Sequence, residues 1–232
     1  MVLYTGAGHA QVKTNLHKKE KLYDRVDSLL VLDPRTWISI KNGQNEFVHC
    51  HDLSESVHDS ILMAVQDYFS DTLVWYGNRD SRKSPIGTDF TYFDETKERA
   101  VTDSIFHFIS ALKQCPSHIK KIKAPEFFKG IISESGHRYG MLIFQYGSIK
   151  SDDLYKRQIA GSIIFGLLTR GAWPEITEYH SELTICIIDS KADEVILFGQ
   201  NGMKINPLLR STFKQHMHLM LDFKLRHYRS SR

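Results

Sequence analysis

Only three of the 232 residues are cysteines, Cys50, Cys115 and Cys186, and no two form a C-x-x-C pair. An odd count without a spacing pattern excludes a disulfide framework and a cysteine-rich zinc module. No apolar run reaches the roughly 18 residues that a membrane-spanning helix needs. The longest, Ile159 to Leu168, is interrupted by Gly161, Ser162 and Gly166. Met1 to Asn15 has no charged segment followed by a long apolar one, so no secretory signal is expected there. It also carries no cysteine for lipid attachment. Net charge is scarce: 30 Lys and Arg against 27 Asp and Glu leave +3, too little to imply nucleic acid. There is no P-loop, dinucleotide fingerprint, H-E-x-x-H or G-x-S-x-G elbow, and no cofactor is expected.

What is present is an ordinary globular composition, 41% hydrophobic and 25% charged. The length suits one domain with extensions. Residues 1–24 are small, polar and basic and are expected to form a flexible arm; residues 25–232 then make a single domain with an apolar insert at about 150–179. Asp27 to Asp33 reads as a buried strand stopped by Pro34. Trp37 to Ile40 and Glu46 to His51 read as a hairpin turned at Asn42-Gly43.

Asp52, with Glu55 three residues on, predicts a capped helix ending near Ser70, followed by a strand at Thr72 to Tyr76. A loop over Gly77 to Asp94 holds a strand at Phe90 to Phe93. Helices follow at Asp94 to Lys113 and Pro125 to Ser133. Asn206 and Pro207 predict the start of a last helix, with Leu209, Phe213, Met217 and Met220 on one face. The resulting class is α/β (α+β): a single mixed sheet with helices, a closing antiparallel hairpin and a C-terminal helix.

The sheet centre is placed at Arg138 to Gly147, apolar on both faces, followed by Glu182 to Ile188 and Glu194 to Gly199. Cys186 falls in this apolar pattern as a core residue. Between these strands lies the insert, Arg157 to Pro174. Three readings stand for it. It is a helix buried in or packed over its own sheet, a protein-contact or oligomer surface, or an interfacial membrane segment flanked by Arg157, Arg170 and Trp173.

Residues able to do chemistry are thinly spread. His49, Cys50, His51, Asp52 and His58 are the densest group, and His49 and His51 share a strand face, so His49, His51 and His58 are candidate metal ligands. Ser133-Glu134-Ser135-Gly136-His137 reads as a helix-to-strand turn, with serine chemistry as its alternative. His216 and His218, two apart on a helix, face different ways and are expected at solvent. From Arg210 to Arg232 six basic residues face one acid. This reads as a solvated face, or as attraction to an acidic partner, a lipid surface or nucleic acid.

Three stretches carry a family resemblance: LLVLDP (29–34), RYGMLIFQYG (138–147) and the acidic turn between strands in CIIDSKADEVILFG (186–199). Over Asp27 to Phe223 the pattern resembles bacterial envelope lipoproteins of the curli-secretion-channel and TolB-N-terminal-like superfamily. It is more similar to uncharacterised lipoprotein-like relatives with a Gly-rich insert before the hairpin. The resemblance implies a periplasmic or membrane-associated accessory, often oligomeric and tethered by lipid, with no catalytic residues. The expected function is a noncatalytic accessory of the envelope acting by protein contact or self-association. Ile163, Phe165, Leu167, Trp173, Arg210, Lys214 and Arg226 are its candidate contact residues. A metal-dependent or serine hydrolase is the alternative, and a nucleic-acid-binding protein, resting on the basic last helix alone, is the weaker one.

Overall fold

The structure is a computed structural model that describes residues 9–14, 22–75, 86–91, 95–114, 119, 121–169 and 176–221. Its fold is α/β, built on one mixed sheet that has eight strands among the described residues. The central strand is β6, Tyr139–Lys150. Its side chains alternate between two apolar layers, as a two-residue period requires: Met141 and Ile143 enter one, Leu142 the other.

One edge of β6 pairs antiparallel with β7, Tyr179–Asp189, which pairs antiparallel with β8, Glu194–Met203. The other edge takes two strands in succession, β2 (Ser28–Leu32) and β3 (Arg35–Lys41), both parallel to it. Asp33-Pro34 separates them, since a proline cannot donate to the ladder. Strand β5, Gly87–Thr91, runs parallel beyond β2. Strand β4, Phe47–His49, is the antiparallel return of β3.

Helices close both faces. On the first, α2 (His51–Trp75) and α6 (Arg210–Leu221) send Val57, Ile61, Val65, Phe213, Met217 and Met220 onto the sheet. On the second, α3 (Glu95–Gln114) and α4 (Glu126–Glu134) send Ile105, Phe108, Leu112, Phe128 and Ile132 onto Leu142, Cys186, Ile188 and Phe198. Each such side chain, fully buried, stabilises the fold by roughly 1.5–3 kcal/mol. Cys186 is a core residue, and burial pushes its thiol pKa up.

Several expectations are corrected. Within the expected arm, His9–Thr14 forms β1, an antiparallel partner of β8, and Leu22–Arg25 forms a helical turn, α1. Helix α2 starts one residue earlier than Asp52, with Ser54 N donating to Cys50 O, and continues through Trp75. The strand expected at Thr72 to Tyr76 is therefore helical in its described part: β-branched and aromatic propensity yields where a helix is already propagating. Helix α6 starts at Arg210, later than Pro207, because Asn206 makes a separate turn. Its Oδ1 accepts from Leu208 N at 2.9 Å, and its carbonyl accepts from Thr212 Oγ1 at 2.7 Å. In the β3–β4 turn the left-handed residue is Asn45 (φ 66°), while the side chain of Arg157 occupies the space a Cβ on Gly43 would need.

Candidate contact surface

The insert forms helix α5, Asp152–Leu168. Its start is well specified. Ser151 is extended (φ −61°, ψ 150°) and its hydroxyl accepts from Leu154 N, while Asp152 and Asp153 place negative charge at the positive end of the helix dipole. The helix ends where Thr169 returns both its amide (2.9 Å) and its hydroxyl (2.8 Å) to the carbonyl of Phe165. The base of α5 is tied to the sheet end. Ser151 N donates to Lys41 O and Lys150 N to Glu178 O, both at 2.9 Å.

Beyond that base the packing stops. Leu154 is the one described side chain of α5 that is buried. Ile163 is 47% exposed, Ile164 60%, Phe165 49%, Leu167 74% and Leu168 79%. The expected contact residues Ile163, Phe165 and Leu167 thus all lie on solvent-facing surface, and the reading of the insert as a helix packed on its own sheet is overturned. The reason is geometric. Ile149 and Tyr179 are cross-strand neighbours, so α5 is an excursion from the closed end of the β6–β7 pair and projects past the sheet. At this end the β3–β4 hairpin exposes more apolar surface, at Trp37, Phe47 and Val48.

The basic candidates behave differently. Arg210 and Lys214 both pair with Asp67 of α2, Lys214 at 2.7 Å, and these pairs hold the Asp67 carboxyl below its ordinary range. They fasten α6 to α2 rather than forming a free basic face. Trp173 and Arg226 lie outside the described residues.

Of the candidate metal ligands, His49 and His51 lie near each other, with ring centroids 6.3 Å apart, but each has a different partner and His58 does not join them. His49 stacks on Trp37 with ring centroids 4.1 Å apart, and its Nε2 lies 3.0 Å from Ser54 Oγ. His51 is exposed and pairs with Glu55 one turn on, at 3.1 Å. The Nε2 of His58 sits 2.7 Å from Asp33 Oδ1. Among the described residues, no group of three or more His, Cys, Asp and Glu could hold a metal ion.

Ser135, His137 and Asp89 have the connectivity of a catalytic triad but not its machinery. Ser135 Oγ is 3.2 Å from His137 Nδ1, and His137 Nε2 is 3.2 Å from Asp89 Oδ2. However, Ser135 Oγ donates to Ile132 O at 2.7 Å, and the Asp89 side chain is 73% exposed. The neighbouring amides are taken as well: Gly136 N donates to Ser133 O and His137 N to Ile132 O. With Gly136 at φ 79° this is the Schellman end of α4, and it leaves no amide pair to receive an oxyanion. The acidic turn is structural too. Buried Asp189 accepts from Arg138 Nη2 at 2.7 Å and from the amides of Lys191 and Ala192.

One polar cluster departs from the expectation. His216, expected at solvent, is fully buried on the inner face of α6, its Nε2 2.9 Å from Ser181 Oγ. Ser181 also accepts from Gln145 Nε2 at 2.9 Å, and Asn201 is buried on the neighbouring strand. Burial, helped by the charge of His180, pushes the His216 imidazole down to about 4. The signal was in the spacing: His216 follows Phe213 by three and precedes Met220 by four, so it shares their face.

No family model matches the chain, and no curated protein matches it. Among solved structures it is similar to two of dodecameric PelC from Paraburkholderia phytofirmans. One, a point variant, has 9% identity and the other 8%; each has a TM-score of 0.37 and covers 94% of this chain and 96% of that one.

Proposed function

We propose that this protein is a noncatalytic accessory that works by protein contact, with the projecting half of α5 as its contact face. One observation carries this reading: the longest uncharged apolar run of the chain, Ile159 to Leu168, is left outside the core, with Ile164, Leu167 and Leu168 each at least 60% exposed. An apolar helix left in water is unfavourable, and contiguous apolar patches of this size mark interaction sites. The resemblance to envelope lipoprotein-like proteins adds the cell envelope as the proposed location.

A photo-crosslinking amino acid at Leu167, in cells producing the full chain, tests the contact face. Asp59, exposed on α2, is the control position. Protein adducts are expected from position 167 and not from position 59. Their absence at 167 overturns the proposal.

A further inference from the structure

The shape of α5 says what covers it. We infer that its occupant is a second copy of this chain, with α5 packed against α5 about a two-fold axis; this rests on α5 being a contact face at all. The exposed half of the helix carries two ridges at four-residue spacing. One is Ile159, Ile163 and Leu167; the next is Ala160, Ile164 and Leu168. Such ridges from two helices interdigitate at a crossing of about −50°, and a two-fold axis sets the same ridge into the same groove on both copies. With the axis between Ile163 and Ile164, the Ile159 end of each helix meets the Leu168 end of the other. Ile159 to Leu168 holds no charged residue, so the pairing opposes no like charges. Gly161 borders the second ridge, and a Cβ there would meet nothing within 4 Å, which leaves clearance for a close approach.

Area agrees with this occupant. The exposed side chains present on the order of 500 Å² per copy, so a pair that covered them fully would bury about 1,000 Å², the lower bound for a specific interface. Lipid fits less well. The apolar stretch rises only about 15 Å, half of a hydrocarbon core. In-plane insertion calls for an apolar face backed by a basic one, whereas the polar half of α5 mixes Asp152 and Asp153 with Lys156 and Arg157. End-on insertion would bring the last-turn carbonyls into hydrocarbon.

Sedimentation of the full chain, paired with flotation on phosphatidylcholine–phosphatidylglycerol vesicles, tests the inference. The wild type is expected to dimerise reversibly and not to float. Leu167→Ser should weaken the dimer about 10-fold, and Ile163→Asn with Leu167→Ser about 100-fold. Both variants should keep the far-ultraviolet circular dichroism of the wild type, since the substituted side chains are exposed. A dimer whose dissociation constant is unmoved by the double variant overturns the inference, as does a monomeric wild type, floating or not. In that last case, protein adducts from position 167 would still uphold the contact-face reading, and their absence would remove it too.

Discussion

Helices α5 and α6 reverse the usual relation between apolarity and burial. Helix α6 carries Arg210, Ser211, Thr212, Lys214, Gln215, His216 and His218 among its twelve residues, yet buries six side chains, one of them an imidazole. The last ten residues of α5 have a single polar side chain, Ser162, and none of their described side chains is buried. What differs is the path of the chain. Helix α6 leaves β8 through the Asn206 turn, folds back over the sheet and is pinned to α2 through Asp67. Helix α5 starts where β6 and β7 close on each other and is aimed off the sheet. Burial therefore follows the direction a connection imposes, and the apolar helix that is misdirected becomes a surface.

The most forceful way to break this comparison is to truncate one phenylalanine in each helix. Phe213 is fully buried, so Phe213→Ala should cost about 3–5 kcal/mol of unfolding free energy in urea titrations. Phe165→Ala, at a half-exposed site, should cost under about 1 kcal/mol at concentrations where the chain is monomeric. Comparable losses would mean that α5 packs on its own domain after all.

Acid should separate the helices next. Folded His216 titrates at about 4, against roughly 6.5 in an unfolded chain. Between these values the unfolded state binds more protons, so stability is full above pH 6.5 and falls as pH drops through the window. The loss by pH 4 is about 3 kcal/mol. The difference in stability between the wild type and His216→Gln, followed from pH 7 to pH 4, should shrink by that amount. A pH-independent difference would place His216 outside the core.

The layers of the fold were legible because they rest on local periodicity. The near-continuous apolar run in Tyr139 to Tyr146 marks a strand buried on both faces, and Val101, Ile105, Phe108 and Leu112 mark the buried face of α3. The contact residues Ile163, Phe165 and Leu167 were legible as apolar, but burial on their own sheet and exposure on a contact surface both remained open readings. Periodicity reports that a segment wants burial; only the register of Ile149 against Tyr179 shows that the chain turns away there. His216 fails the other way. A histidine reads as polar wherever it stands, and Ser181, which partners its Nε2, is 35 residues away in sequence, while Gln145, which donates to Ser181, is another 36 away.

A second histidine sharpens the acid test with the opposite sign. The hydrogen bond to Asp33 raises the His58 imidazole above its ordinary value, against the smaller effect of burial. Its contribution is fully present below about pH 6.5 and is lost as pH rises through the raised folded value. His58→Gln should therefore cost about 1 kcal/mol at pH 6 and close to nothing at pH 9, read from denaturation midpoints at the two values. A cost that grows with pH would contradict the ion pair.

The smallest expected effect probes whether α5 is energetically separate from the core that α6 helps to close. Gly161 stands in the middle of α5 with open space around it, so nothing in the monomer requires a glycine there. Gly161→Ala should favour the helix by up to about 1 kcal/mol, through the unfolded entropy that glycine carries and alanine does not. If α5 is a separate projection, that gain stays local. Amide exchange in α5 slows several-fold in the monomer, while protection in β6 and α6 and the melting temperature of the domain stay within error. If instead the melting temperature rises with the helix, α5 unfolds together with the sheet, and the contrast between a closing helix and a presented one is lost.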